Sequence, residues 1–183
     1  MTSSVDSRWN DPVIVLNEAN EPIGTCPKPD AHQGAGIRHL AFSCYAFDPD
    51  GRLLVTRRAP TKETFPGVIT NTCCGHPLPG ENLADAVERR LREELGLNVT
   101  GLHLALPDFD YVARSNGYVE KEFCPVFVCQ VNSDPVLNLA EVEEAWWMPW
   151  DDVVALARVE SSPLSPWARL QVPLLAGMSP TAW

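Results

Sequence analysis

Long apolar stretches are missing from this 183-residue chain: none approaches the roughly 18 residues that a membrane-spanning helix needs. The opening residues, MTSSVDSRWNDP, show no basic-then-apolar leader, so a cytoplasmic setting is expected. Basic residues are scarce. Fourteen Lys and Arg face 24 Asp and Glu, a net charge of −10, which argues against nucleic acid or an anionic membrane as partner. Six cysteines are present, but no pair of CxxC motifs, which argues against a structural zinc knuckle, and reduced thiols are expected. No internal repeat and no low-complexity stretch interrupts the chain. What remains is ordinary globular composition, 45% hydrophobic and 21% charged. The length fits one domain over residues 13–183, after a flexible N-terminal segment, 1–12. A monomer or weak dimer acting on a small molecule is expected, and an anionic ligand stays open if the few cations gather in one cleft.

Residues 13–16 are a strand candidate and 17–22 a turn. Residues 28–36, with Pro and Gly among polar residues, read as a loop. Residues 40–47 and 52–56 flank Asp48-Pro49-Asp50-Gly51, a turn signal that makes them a hairpin. Residues 120–131, broken by Pro125, and 144–148 are strand-like, whereas 151–158 and 165–170 open as helices. Strands outnumber helices in mixed order, which predicts an α+β sandwich.

The clearest helix spans 82–95. Asn82 can cap it, Asp85 stands where a capping box has its carboxylate, and Gly96 follows where helices stop. Leu83, Val87, Leu91 and Leu95 form an i, i+4 apolar row, yet Arg90 and Glu94 fall on the same side. Two readings are open: an Arg90–Glu94 ion pair, or Glu94 facing a metal. The surrounding residues bear on the choice. Gly75, five residues, Glu81, seven residues, then Arg89-Arg90-Leu91-Arg92-Glu93-Glu94-Leu95-Gly96-Leu97 closely resembles the Nudix box, with Arg90 in place of a glutamate. That resemblance implies a loop–helix–loop whose glutamates hold divalent metal on a diphosphate. Arg90 removes one carboxylate and leaves Glu94 as the best single magnesium ligand.

A second constellation lies outside the box. Three of the four histidines, His32, His39 and His76, sit in polar or Gly/Pro-rich surroundings. Glu120 and Glu122 alternate around Lys121, so a strand puts both carboxylates on one face. Like charges there repel unless something positive lies between them. Three imidazoles and two carboxylates would suit manganese, iron, magnesium or an expanded zinc site. His103, in a leucine-rich run, reads as an ordinary surface or core histidine.

Taken together, several segments resemble the type 1 isopentenyl-diphosphate isomerases, a divergent Nudix-fold family. They are KxxxH (28–32), RHLAFS (38–43), LLVTRRA (53–59), FPGVITNTCCGHP (65–77), PDFDY (107–111), VEKEFCPVF (119–127) and SPW (165–167). The likeness runs from about residue 13 to about 175, and the family's box carries an arginine at the position of Arg90. It implies a Nudix-like α/β/α sandwich with a mixed sheet and a loop–helix–loop box. It also implies reversible conversion of isopentenyl to dimethylallyl diphosphate by adding a proton at one end of an allylic system and removing one at the other. Cys74 and Glu122 are the implied proton-handling pair on opposite faces of the substrate, with Tyr111 assisting Glu122 and Trp167 presenting a π face. His32, His39, His76, Glu120 and Glu122 would hold one divalent metal, Mn2+ or Zn2+. Glu94 would hold Mg2+ on the diphosphate, and Lys28, Arg58, Lys62 and Arg90 would contact its oxygens.

The chemistry agrees with these residue types. Protonating an unactivated alkene requires stabilising a tertiary carbocation, which an aromatic face does by about 2 kcal/mol or more when desolvated. A thiol, with a free pKa of about 8.5, exchanges protons in either direction near neutrality. Two other functions compete with this one: a Nudix diphosphohydrolase, against which Arg90 counts, and a non-catalytic metal or diphosphate-binding module, which gives Cys74 and Tyr111 no purpose.

Overall fold

The computed structural model describes residues 8–178. In chain order the elements are β1 (Pro12–Leu16), β2 (Pro22–Pro27), α1 (Lys28–Ala31), β3 (His39–Leu40), β4 (Phe42–Phe47), β5 (Arg52–Arg58), β6 (Ile69–Thr70) and β7 (Cys73–Gly75). They continue with α2 (Leu83–Leu95), β8 (Thr100–Leu106), β9 (Asp110–Ser115), β10 (Tyr118–Phe123), β11 (Val126–Gln130), β12 (Val142–Pro149), α3 (Trp150–Arg158) and α4 (Pro166–Ala176). They form two mixed sheets rather than one. The smaller has the order β2-β1-β3-β10-β9; the larger runs β12-β5-β4-β11-β8, with β6 on β5 and β7 on β4. None of the helices among the described residues is long and apolar enough to cross a membrane.

Strand β4 explains the layering. It is buried along its whole length, so alternate side chains must find apolar cover on both faces. Phe42, Cys44 and Ala46 join the core that holds Val87, Leu91 and Leu95 of α2. Tyr45 and Phe47 join the core that holds Val153 of α3 and Trp167, Val172 and Leu175 of α4. The larger sheet is thus the centre of an α/β/α sandwich.

Helix α2 starts and stops as its sequence predicts. The Asn82 side chain accepts the Asp85 N–H at 2.9 Å, and Gly96 closes the helix at φ 63°. A Cβ at Gly96 would stand 3.1 Å from Val136, so the left-handed turn and the close approach both require glycine. Val87, Leu91 and Leu95 are fully buried, each stabilising the fold by about 1.5–3 kcal/mol.

The expected hairpin forms only at its tip. Asp48 Oδ1 accepts from the N–H groups of Asp50 and Arg52, closing the turn, but β4 and β5 pair only at Phe47 and Leu53. Beyond that pair β7 adds to β4 and β6 to β5. Pro125 marks a change of sheet, since β10 belongs to the smaller and β11 to the larger. Alongside it, β3 and β4 make the same change at Ala41, whose N–H donates to Phe123 O at 2.9 Å. The stretch expected as a loop from residue 28 begins with α1, which is only four residues long. Of the expected N-terminal segment, residues 1–7 lie outside the described residues, while Trp9 is buried against His32 and Tyr118.

Candidate active site

Sheet register brings the separated motifs together. In the smaller sheet Glu122 of β10 pairs with His39 of β3 on one side and with Tyr111 of β9 on the other. In the larger sheet Cys74 of β7 pairs with Ser43 of β4. Gly75 must be glycine: a Cβ there would meet Phe42 at 2.9 Å and Arg90 Cγ at 3.1 Å. Strand β7 and the box helix can therefore lie against each other. One cavity results, lined by Cys74 of the larger sheet, by Tyr111, Glu120 and Glu122 of the smaller, by Trp167 of α4 and by His76. Lys28, Arg58, Lys62, Arg90 and Glu94 line the same cavity.

His32, His39, His76 and Glu122 form a cluster whose ligand atoms all lie within 4.8 Å of one another. His32 Nδ1 lies 2.8 Å from Lys28 O and His39 Nδ1 2.7 Å from Ile37 O. Donation to those carbonyls puts the proton on Nδ1 and leaves each Nε2 a lone pair. Yet His39 Nε2 lies 3.2 Å from His76 Nε2, Glu122 Oε1 lies 3.0 Å from His76 Nε2, and His32 Nε2 is buried with no hydrogen-bond partner. So many acceptors facing one point fit a divalent cation. Burial lowers His76 to about 3 and His32 to about 4, so both rings stay neutral, as ligands must be. Burial alone would raise Glu122, but its close contacts with the His39 and His76 rings outweigh it and hold the carboxyl well below its usual range.

Of the five expected ligands, Glu120 is the one outside this cluster. Its Oε2 accepts from Tyr111 Oη at 2.8 Å, and the same hydroxyl lies 2.8 Å from Glu122 Oε2. The period-2 expectation of both carboxylates on one face therefore holds, with a phenol bridging them. Burial, then the neighbouring Glu122 charge, raises Glu120.

The lowered histidines have a consequence for stability. Unfolded, each imidazole takes up a proton near pH 6.5; folded, neither does until pH 3–4. The unfolded state thus binds more protons across that window, and stability falls as pH falls. Glu120 has the opposite sign and trims the loss. For protein stripped of metal, denaturant unfolding is expected to show about 3 kcal/mol less stability at pH 5 than at pH 7. Equal stability at the two pH values would contradict neutral, buried histidines.

Cys74 is enclosed by a polar network. Its Sγ lies 3.4 Å from Ser43 Oγ and donates to Asn71 Oδ1 at 3.3 Å. Asn71 Oδ1 also accepts from Trp167 Nε1 at 2.9 Å, so one amide joins the thiol to the indole. Behind Ser43, Gln171 Nε2 donates to its hydroxyl at 3.0 Å. Burial pushes the thiol up to about 12, against the opposing influence of Ser43, Asn71 and the Arg58 charge, so it stays protonated.

The cationic residues are anchored differently. Arg90 Nη2 donates to Glu94 Oε1 at 2.5 Å, so the ion pair foreseen on the helix exists, though buried rather than exposed. Arg58 donates to the carbonyls of Thr64 and Phe65 and stands 5.9 Å from the Trp167 ring. Lys28 Nζ lies 5.6 Å from the Trp9 ring. Arg57 faces away, to Glu144 at 3.2 Å. His103 lies exposed on β8, outside the site. Trp9, Asn71, Ser43, Gln171 and Glu141 escape a reading of the sequence; the available signals are a serine inside the apolar run of β4 and a glutamine on the apolar face of α4.

Comparison with known proteins places the chain in a family. A NUDIX domain model matches residues 37–168. The chain is 50% identical over 164 residues to the isopentenyl-diphosphate Delta-isomerase of Mycolicibacterium vanbaalenii, spanning 89% of this chain and 90% of that one. It is 48% identical over 178 residues to the protein of the same name from Cutibacterium acnes, spanning 91% and 87%. Among solved structures, a Deinococcus radiodurans protein matches with a TM-score of 0.69 at 19% identity, over 89% of this chain and 98% of its own. A MutT protein from Methanosarcina mazei matches with a TM-score of 0.61 at 20% identity, over 76% and 93%. These two show the fold alone. With its box, its cavity and relatives this similar over nearly their whole length, the chain belongs to the isopentenyl-diphosphate Delta-isomerase family, built on the Nudix fold.

Proposed function

We propose that the protein interconverts isopentenyl and dimethylallyl diphosphate through Cys74 and Glu122, in the service of isoprenoid synthesis. The observation that carries the assignment of these two residues is their placement. Cys74 comes from the larger sheet and Glu122 from the smaller, and both line one cavity. A substrate lying between them meets a proton-handling group from each side. Burial favours the protonated Cys74 thiol, and the contacts with His39 and His76 favour the ionised Glu122 carboxylate. One donor and one acceptor are what a proton addition at one carbon and removal at another require. In the reverse reaction the two exchange roles.

Tyr111 Oη, between Glu120 and Glu122, can follow the changing charge on either carboxylate. Trp167 is buried, with its N–H held by Asn71, which leaves its π system available to a cationic carbon. Phe65 packs edge-on against it at 5.1 Å and helps exclude the water that would capture such a carbon.

His32, His39, His76 and Glu122, with Glu120 adjacent, would hold a divalent ion, Mn2+ or Zn2+. Such an ion would supply positive charge that fixes the Glu122 carboxylate and tempers its basicity. Glu94, lining the cavity beside Arg90, would hold Mg2+ on the diphosphate. Lys28, Arg58, Lys62 and Arg90 give an acidic chain a local cationic surface for that anion. All of these groups come from one chain, so a monomer or weak dimer suffices, and the six free cysteines suit a reducing cytoplasm.

Product analysis tests this reading. Purified protein given Mg2+, Mn2+ and isopentenyl diphosphate is expected to form dimethylallyl diphosphate and release no phosphate. Phosphate release without isomer would replace the isomerase with a diphosphohydrolase.

A further inference from the structure

Glu141 has no place in the chemistry above, yet it stands among the groups that would grip the substrate. It is 6% exposed and lines the same cavity. Lys62 Nζ donates to Glu141 Oε2 at 2.5 Å, and Arg90 Nη2 stands 3.3 Å from the same oxygen. Arg90 Nη2 also donates to Glu94. Two cations and two carboxylates are therefore interleaved and nearly dry. Burial works against the Arg90 charge, and the Glu94 and Glu141 carboxylates more than restore it.

The backbone holds this arrangement in place. The stretch 132–141 covers the C-terminal end of α2: Val136 N–H donates to Leu95 O at 2.8 Å and Asn138 N–H to Glu94 O at 2.9 Å. Asn138 O then accepts from Glu141 N–H, and Glu141 O accepts from Ala59 N–H, both at 2.9 Å. The carboxylate is thus tied both to the helix that carries Arg90 and to the segment that leads to Lys62.

A carboxylate here serves two purposes. It adds counter-charge to two nearly buried cations, Lys62 and Arg90. It also occupies the partners that a phosphate oxygen would take. A bare diphosphate set against Lys62 and Arg90 must displace Glu141 and then lie beside both it and Glu94, with like charges in contact. A diphosphate that brings a divalent cation meets these carboxylates as partners instead.

We propose that Glu141 is a specificity-determining residue: an internal counter-anion that makes diphosphate binding conditional on a divalent cation. The inference rests on the cavity being the diphosphate site, and the test separates the two claims. The probe is inorganic pyrophosphate, titrated calorimetrically into wild type and Glu141→Gln, once with EDTA and once with Mg2+. Wild type is expected to bind it tightly only with Mg2+. Glu141→Gln is expected to bind it at least tenfold tighter than wild type in EDTA, with a correspondingly smaller gain from Mg2+. If the variant is too unstable for calorimetry, the rise in thermal midpoint caused by pyrophosphate in EDTA gives the same comparison, since a ligand stabilises in proportion to its affinity. A rise larger in the variant than in wild type supports the proposal. Equal or weaker metal-free binding by the variant, with normal Mg2+-dependent binding by wild type, overturns the role of Glu141 alone. No binding by wild type even with Mg2+ overturns the diphosphate site and this proposal with it.

Discussion

Replacing Cys74 by alanine is expected to lower kcat for isomerisation by at least about 10³-fold, the scale of a lost positioned proton donor. No substitute stands ready. Ser43, 3.4 Å from the sulfur, is a far weaker acid and is engaged by Gln171. Cys124, also 3.4 Å from Ser43 Oγ, is buried in the core and does not line the cavity. The substitution removes one small side chain and leaves Lys28, Arg58, Lys62, Arg90 and Glu94 in place. KM for isopentenyl diphosphate should therefore change by no more than a few fold, and the metal content should not change. A kcat within tenfold of wild type would remove Cys74 from the chemistry.

The second large effect is expected from Glu122→Gln, and it should differ in kind. Glu122 is the one carboxylate in the cluster with His32, His39 and His76, and Tyr111 Oη lies 2.8 Å from it. Glutamine keeps the size and loses the charge. Its amide N–H2 could also donate to the ring nitrogens' lone pairs and compete with the metal for them. Divalent metal affinity is expected to fall by at least about 100-fold and the isomerisation rate by about 10⁴-fold. Elemental analysis after dialysis, paired with the rate, checks both. Full metal content with a lost rate would confine Glu122 to proton transfer; a normal rate would exclude it from both roles.

Cys74 and Glu122 were singled out by resemblance to a known family rather than by local pattern, whereas the elements around them are legible because their contexts are short and regular. The box helix has an i, i+4 apolar row with a cap and a glycine stop, and α2 follows it. Glu120 and Glu122 could be placed on one face because period 2 needs only three residues of strand. Gly75 stood out as a box position, and its physical reason emerged only from the crowding of Phe42 and Arg90 around it. Element α1 was missed because four residues carry no periodicity. Strand β8 was missed although Leu102, Leu104 and Leu106 alternate at period 2. Asn71, Gln171 and Glu141 were missed for another reason. Their meaning lies in partners far along the chain: Gln171 meets a residue 128 positions away and Glu141 one 79 positions away. No local pattern records such a pairing. The layering was easier to foresee than the division into two sheets, because a strand run broken by Pro125 does not say that its halves part company.

The most direct test of the account is deuterium incorporation. Protein with Mg2+ and Mn2+ is incubated with isopentenyl diphosphate in deuterated water, and the products are examined by NMR and mass spectrometry. Proton addition by one group and removal by another predicts dimethylallyl diphosphate carrying deuterium from solvent, with the diphosphate intact and the label lost in Cys74→Ala. Isomer formed without any deuterium would contradict proton exchange through Cys74 and Glu122.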